Sequence, residues 1–161
     1  MQLHLPPELI ARLVAALSQA GLREIGGVLM GEHIGPDAFR VKELTIQRKG
    51  GTFASFIRIV AEILGPLRKF FETTKHDYKK FNYLGEWHSH HSFRLSPSGP
   101  DHQAMLNIIN DPELGAHFVV LLLVKLDTKG DLDGGLTVYL PQQHPFIGEI
   151  VYEQPGKCCI S

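Results

Sequence analysis

The sequence predicts an α+β domain, a sheet with flanking helices, and three observations point there. Apolar residues recur at helical spacing in some stretches and gather in short β-rich runs in others, and the two kinds alternate irregularly. The later strand-like runs are joined by short turns, where a doubly wound parallel fold would interpose helices. No linker long enough to divide the chain interrupts its 161 residues, a length at which roughly two-thirds of the unfolded surface is buried on folding.

After Pro6-Pro7, the residues Leu9, Ile10, Leu13, Val14 and Leu17 fall on one helical face and Gly21 supplies a stop, which predicts a first amphipathic helix packed on a sheet. Two strand-like runs follow, Ile25 to His33 and Phe39 to Gln47, with Gly35-Pro36-Asp37 as a hairpin turn and Gly50-Gly51 opening a loop. A second helix is expected from about Arg58 to Lys80, on the spacing of Ile59, Ile63, Leu67, Phe70 and Phe71, with Gly65-Pro66 bending or breaking it. Tyr83 to His90 reads as a strand, and the polar loop SFRLSPSGPD opens a third helix that runs to about Asn110 and ends at Asp111-Pro112. Ala116 to Leu126, Leu136 to Leu140 and Phe146 to Glu153 complete the strands, with a hairpin turn through Gly134-Gly135.

Composition narrows the class. An apolar share of 43%, a charged share of 20% and a formal net charge of -1 describe a soluble globular protein with no electrostatic bias toward nucleic acid or membrane. Pro6, Pro7, Glu8 and Arg12 interrupt the N-terminal stretch, so it reads as part of the fold and not as a signal peptide. FVVLLLV, at Phe118 to Val124, is too short to span a bilayer and reads as a buried strand. The only cysteines, Cys158 and Cys159, are adjacent near the C-terminus, which excludes a disulfide framework and fits a reducing cytoplasm. Residues 1–155 are expected to form the domain, and 156–161 a flexible tail without an assigned function.

The stretch GEWHSHHSFRLSPSGPD, from Gly85 to Asp101, carries the chemistry. Side chains alternate along a strand, so His88 and His90 project the same way and offer two imidazole nitrogens to one ion. Asp101, in the first turn of the next helix, closes a third position. Two imidazoles and a carboxylate suit one zinc ion, and three protein ligands leave a fourth tetrahedral place for water, as in catalytic sites. Such a water needs a base, and Glu24 is the candidate.

These residues together match a known pattern. E-x-G-G-x-L-x-G is Glu24 to Gly31, H-S-H followed by ten residues and Asp is His88-Ser89-His90 to Asp101, and Ser98 completes S-x-x-D. The chain thereby resembles the JAMM (MPN-plus, JAB-domain) zinc metalloproteases over essentially its whole length. The resemblance implies an MPN fold, cytidine-deaminase-like, with a mixed curved sheet flanked by three helices. It implies zinc bound by His88, His90 and Asp101, Glu24 as general base and then general acid, and Ser98 stabilising the oxyanion. The implied reaction is hydrolysis of an isopeptide or peptide bond beyond the C-terminal glycine of ubiquitin or a ubiquitin-like protein. Stand-alone bacterial and archaeal relatives accompany E1- and E2-like conjugation systems, including anti-phage operons, where they release a ubiquitin-like protein or a nucleotidyltransferase conjugated by its own C-terminus. Two alternatives accompany this reading: a peptidase that trims a sulfur-carrier tail, and a non-catalytic MPN scaffold, whose members lack the ligands. One position departs from the family pattern, since His91 stands where proline usually follows the second histidine.

Each element also has a plainer role. An isolated H-x-H more often belongs to surface or core histidines. S-x-x-D is a helix capping box that alone accounts for Ser98 and Asp101, with Pro100 in the first turn. Glu24 alone is an ordinary solvated carboxylate, and Gly26-Gly27 a bulge or a close-packing device. Only joint occurrence favours catalysis. His102, about 100° around the helix from Asp101, reads as solvent-facing or near the site without ligating, and Trp87 should face away from His88 into the core. Asp127, Asp131 and Asp133 lack the spacing and terminal Glu of a calcium loop. An extended substrate tail lying beside a strand would meet the loops at 48–55, as a mobile flap, and 91–97.

Overall fold

The computed structural model describes residues 1–47, 56–90, 94–112 and 115–155, with the backbone alone for 56–64. The 48–55 loop, His91, Cys158 and Cys159 lie outside the described residues. In chain order the elements are β1 (Gln2–Leu5), α1 (Pro7–Ala20), β2 (Gly26–Gly35), β3 (Ala38–Leu44), α2 (Phe56–Thr73), β4 (Phe81–Ser89), α3 (Gly99–Ile109), β5 (Val119–Leu126), β6 (Leu132–Tyr139), β7 (Phe146–Ile147) and β8 (Glu149–Tyr152). This is the expected α+β architecture with three helices. The strands form one mixed sheet in the order β7-β6-β5-β4-β2-β3-β1-β8, parallel at β4–β5, β1–β3 and β1–β8.

The sheet curls until its two ends nearly meet. β7 hydrogen-bonds to β6 while β8, one residue later, pairs with β1, so a single short segment joins opposite edges. At Gly148, whose N–H donates to the Leu136 carbonyl, the chain changes partners. The sequence reading of Phe146 to Glu153 as one strand is thereby corrected. A Cβ on Gly148 would lie 2.6 Å from Leu136 Cδ2, so glycine lets the crossing chain approach β6.

α1 begins with Pro7 at a position where a missing N–H costs nothing, and Gly21 closes it at φ 59. Its buried face, Leu9, Leu13, Ala16, Leu17 and Ala20, packs with Trp87, Leu122, Leu136 and Val138 on one side of the sheet. α2 and α3 cover the other side, where Met105, Ile108 and Ile109 meet Val119, Leu121 and Leu123, and Phe70 meets Val28 and Met30.

Three further expectations are corrected. α2 continues through Pro66 and ends at Thr73, short of Lys80. The hydroxyls of Thr73 and Thr74 bond back to the Phe70 carbonyl, and Lys75 and His76 take positive φ, which ends the helix. The β5–β6 turn is at Asp127–Gly130, not at Gly134-Gly135. Asp127 accepts from the N–H groups of Lys129 and Asp131, and Gly130 has φ 86. Gly134 and Gly135 instead lie within β6, paired with Val124 and Leu123, and a Cβ on Gly135 would sit 2.1 Å from the Leu95 carbonyl oxygen. Lastly, β1 precedes the expected first element. Its Leu3 and Leu5 are buried while Gln2 is exposed.

Candidate metal centre

β4 separates chemistry from core by a bulge. Leu84 and Trp87, three residues apart, both pack on the α1 side, which a regular strand would forbid. The irregularity sits where Leu29 pairs with Gly85 and Met30 with Tyr83. Gly85 has φ 149 and its absent Cβ would be 2.0 Å from the Val120 carbonyl oxygen, so only glycine fits. Beyond the bulge, Glu86 and His88 face the α2/α3 side while Trp87, fully buried, faces α1 as expected and donates its indole N–H to the Thr45 carbonyl at 2.9 Å.

At the end of β4 the backbone is held from both sides. Ser89 N–H donates to the Ile25 carbonyl at 2.8 Å and His90 N–H to the Val124 carbonyl at 2.9 Å. His88 is buried between Gly26 and Leu123, its partners on the two neighbouring strands. His90 Nδ1 lies 3.2 Å from the Arg94 carbonyl oxygen, a contact that protonates Nδ1 and leaves Nε2 as the basic nitrogen. Asp101 comes from α3, whose capping box is formed as the sequence predicts. Asp101 Oδ2 accepts from Ser98 N–H at 2.7 Å and from the Ser98 hydroxyl at 2.6 Å, while Asp101 N–H donates to Ser98 Oγ at 3.4 Å. Tyr139 Oη, at the far end of β6, lies 2.8 Å from His102 Nδ1 and ties this helix start to the sheet. Burial, reinforced by the charge of Asp101, pushes the Tyr139 phenol well above its ordinary value, so the phenol is the donor.

His88, His90 and Asp101 each turn one donor atom toward a common point, all within 4.8 Å of one another. His88 Nε2 is 3.1 Å from His90 Nε2 and 3.6 Å from Asp101 Oδ1, and His90 Nε2 is 3.9 Å from Asp101 Oδ2. Ligands of a tetrahedral zinc ion, with bonds of about 2.0–2.1 Å, stand about 3.3 Å apart, so the triangle is of the right size for one cation. Its electrostatics agree. Burial pushes His88 down to about 4 against the attraction of Asp101, with His90 adding to the lowering, so the imidazole is neutral at pH 7, the form that ligates a metal.

Glu24 stands at the head of β2, exposed, two residues before Gly26, which pairs with His88. Continuing that antiparallel register sets it beside His90. Gly26 lets β2 lie close against β4, since a Cβ there would be 2.6 Å from the Trp87 carbonyl oxygen, and Gly27 lets it lie close against the segment after β3, where a Cβ would be 2.1 Å from the Thr45 carbonyl oxygen. Thus the structure brings His88, His90, Ser98 and Asp101 together and leaves Glu24 in the segment that leads into the adjoining strand β2. The sequence assigns no role to Glu86, nor to Ser89 beyond its place in H-S-H. Glu86 shares the two-residue period of the histidines, and Ser89 lies between them, signals that a search for ligands alone passes over.

The family model of prokaryotic homologs of the JAB domain matches residues 6–131, a span holding all five of these site residues. The chain belongs to this family. The JAB match stops one residue short of β6, and the rest of the fold has a counterpart in the solution structure of a Desulfitobacterium hafniense protein. That likeness covers 96% of this chain and 95% of the other, with a TM-score of 0.62 at 19% identity, and speaks to the fold alone. No curated protein matches this JAB-domain chain.

Proposed function

We propose that this JAB-domain protein is a zinc-dependent peptidase that cleaves the isopeptide or peptide bond after the C-terminus of a ubiquitin-like protein or of a protein conjugated in the same way. The observation that carries the proposal is the convergence of His88 Nε2, His90 Nε2 and the Asp101 carboxylate, with Glu24 two residues before the start of the neighbouring strand β2. The substrate class follows from the resemblance of the E-x-G-G and H-S-H motifs to the JAMM signature. The expected partners are the conjugated proteins themselves and an E1- and E2-like conjugation system, of which anti-phage systems are one setting.

His88, His90 and Asp101 would hold the zinc ion, which when bound would supply Lewis acidity to polarise a carbonyl and acidify a water. Glu24 takes the proton of the attacking water and delivers it to the departing amine nitrogen, a relay that an exposed carboxylate at a strand end performs without loss of packing. Ser98 has two tasks. In the resting site its hydroxyl proton points to Asp101 and orders that ligand; turned to the substrate, it donates to the carbonyl oxygen as negative charge builds there.

The decisive measurement pairs zinc content with hydrolysis of a ubiquitin-like protein carrying a C-terminal isopeptide-linked peptide. One zinc per chain and turnover are expected, with turnover falling by about 100-fold or more in Glu24→Gln while zinc is retained. Absence of zinc, or turnover indifferent to that substitution, would overturn the proposal.

A further inference from the structure

Ser89 sits between the two histidines, yet its side chain points away from them. It is fully buried, and its hydroxyl oxygen accepts the Ile25 N–H at 3.0 Å. The Ser89 N–H donates to the Ile25 carbonyl at 2.8 Å. Both main-chain polar groups of Ile25 are therefore bonded to one residue. The Ile25 side chain, 3% exposed, is anchored in the core under α1. On the other edge of β2, the next carbonyl, that of Gly26, accepts from Gln47 N–H at 2.8 Å.

The geometry has a specific consequence for the preceding residue. The Ile25 N–H belongs to the peptide unit whose carbonyl is that of Glu24. A hydrogen bond to that N–H fixes the plane of this unit and with it the direction in which the chain leaves the sheet. The regular β2–β4 ladder supplies no such restraint, because it ends at Gly26 opposite His88. An exposed glutamate just past a strand end would ordinarily fray. Here a side chain replaces the missing rung.

We propose that Ser89 is a positioning residue, a clamp that aims Glu24 at the point where His88, His90 and Asp101 converge. Being covalently between two of the ligands, it ties the base to the metal centre through one residue, so that displacement of either is resisted by the other. The clamp rests on the reading of Glu24 as general base, and it adds a residue to the machinery that binds neither metal nor substrate. Its cost when lost is geometric: misplacing a catalytic group by about 1 Å costs up to about 100-fold in rate.

Two measurements test it, one of them independent of activity. Amide exchange on the metal-free protein should show Ile25 protected, with Ser89→Ala speeding that amide about 3- to 10-fold and Ser89→Thr, which keeps the hydroxyl, restoring it. An Ile25 amide equally slow in Ser89→Ala overturns the clamp. In turnover, Ser89→Ala should lower kcat about 10- to 100-fold at unchanged KM and zinc affinity. Combined with Glu24→Gln it should add no further loss, since a base already removed cannot be mispositioned. Losses that multiply in the double variant would mean that Ser89 acts through general stability, which also overturns the clamp. A wild-type protein that binds zinc and hydrolyses nothing defeats the peptidase reading itself, and is recognised by its failure before any Ser89 variant is compared.

Discussion

The two faces of β4 are made of consecutive residues and do opposite things. Toward α1 the sheet presents Leu84, Trp87, Leu122, Val124 and Val138, an apolar surface in which the Trp87 indole nitrogen is paired with the Thr45 carbonyl and the Ser89 hydroxyl with the Ile25 N–H. Toward α2 and α3 it presents Tyr83, Glu86 and His88, whose charged forms burial disfavours, next to the buried Asp101. One face gains stability from removing apolar area from water. The other gives some of it back to hold polar groups in fixed positions, and the difference identifies the functional face before any ligand is named.

The apolar face should show the larger response to truncation. Trp87→Ala removes the largest fully buried side chain of the sheet, and urea unfolding should register a loss of about 3–5 kcal/mol. A loss below about 1 kcal/mol would mean that the α1 face does not carry the core. Glu86→Gln tests the opposite face through pH. Burial raises the Glu86 carboxyl from 4.5 to about 7, against a hydrogen bond from Tyr83 that lowers it. Between those values the folded state holds a proton that the unfolded chain has released, so stability falls as pH rises and the penalty is complete above pH 7. Glutamine carries no such charge. In the metal-free protein, Glu86→Gln should therefore gain on wild type by about 3 kcal/mol between pH 5 and pH 8. A difference that does not vary with pH would place Glu86 in water. The smallest expected effect on stability is that of Ser98→Ala, about 1 kcal/mol from the lost cap. Metal titration should distinguish it from a simple surface change, because the Asp101 oxygen it orders then binds metal about 10-fold more weakly. Unchanged affinity would leave Ser98 a helix cap alone.

These comparisons rest on features of unequal visibility. α1, the β2–β3 hairpin and the start of α3 were legible because their determinants are local: apolar spacing ended by Gly21, a turn at Gly35-Pro36-Asp37, and a capping box that closes within four residues. The ligand set was legible for a related reason. A two-residue period puts His88 and His90 on one face, and the cap of α3 fixes Asp101, so only the meeting of strand end and helix start had to come from elsewhere. The end of α2 was missed because threonine hydroxyls bonding back to Phe70 compete with the helix through contacts that apolar periodicity does not register.

By itself the sequence determined the α+β class, the elements with short-range signals and the residues able to bind a metal. Tertiary structure decided the rest. Gly134-Gly135 looks like a turn while only its sequence neighbours are considered; in the fold Leu95, forty residues away in sequence, is packed against Gly135, and the pair becomes a place of close approach within β6. β1 is too short to declare itself, and it exists because β3 and β8 take it as a parallel partner, β8 from the other end of the chain; that the expected strand at Phe146 to Glu153 divides at Gly148 between β6 and β1 was also decided in three dimensions. The bulge at Gly85 likewise answers to Val120, and the Ser89 bond answers to Ile25. Spacing and caps act over a few residues and are written in order along the chain. Pairing of distant strands and the close approaches glycine permits depend on what lies opposite, which only the folded sheet specifies.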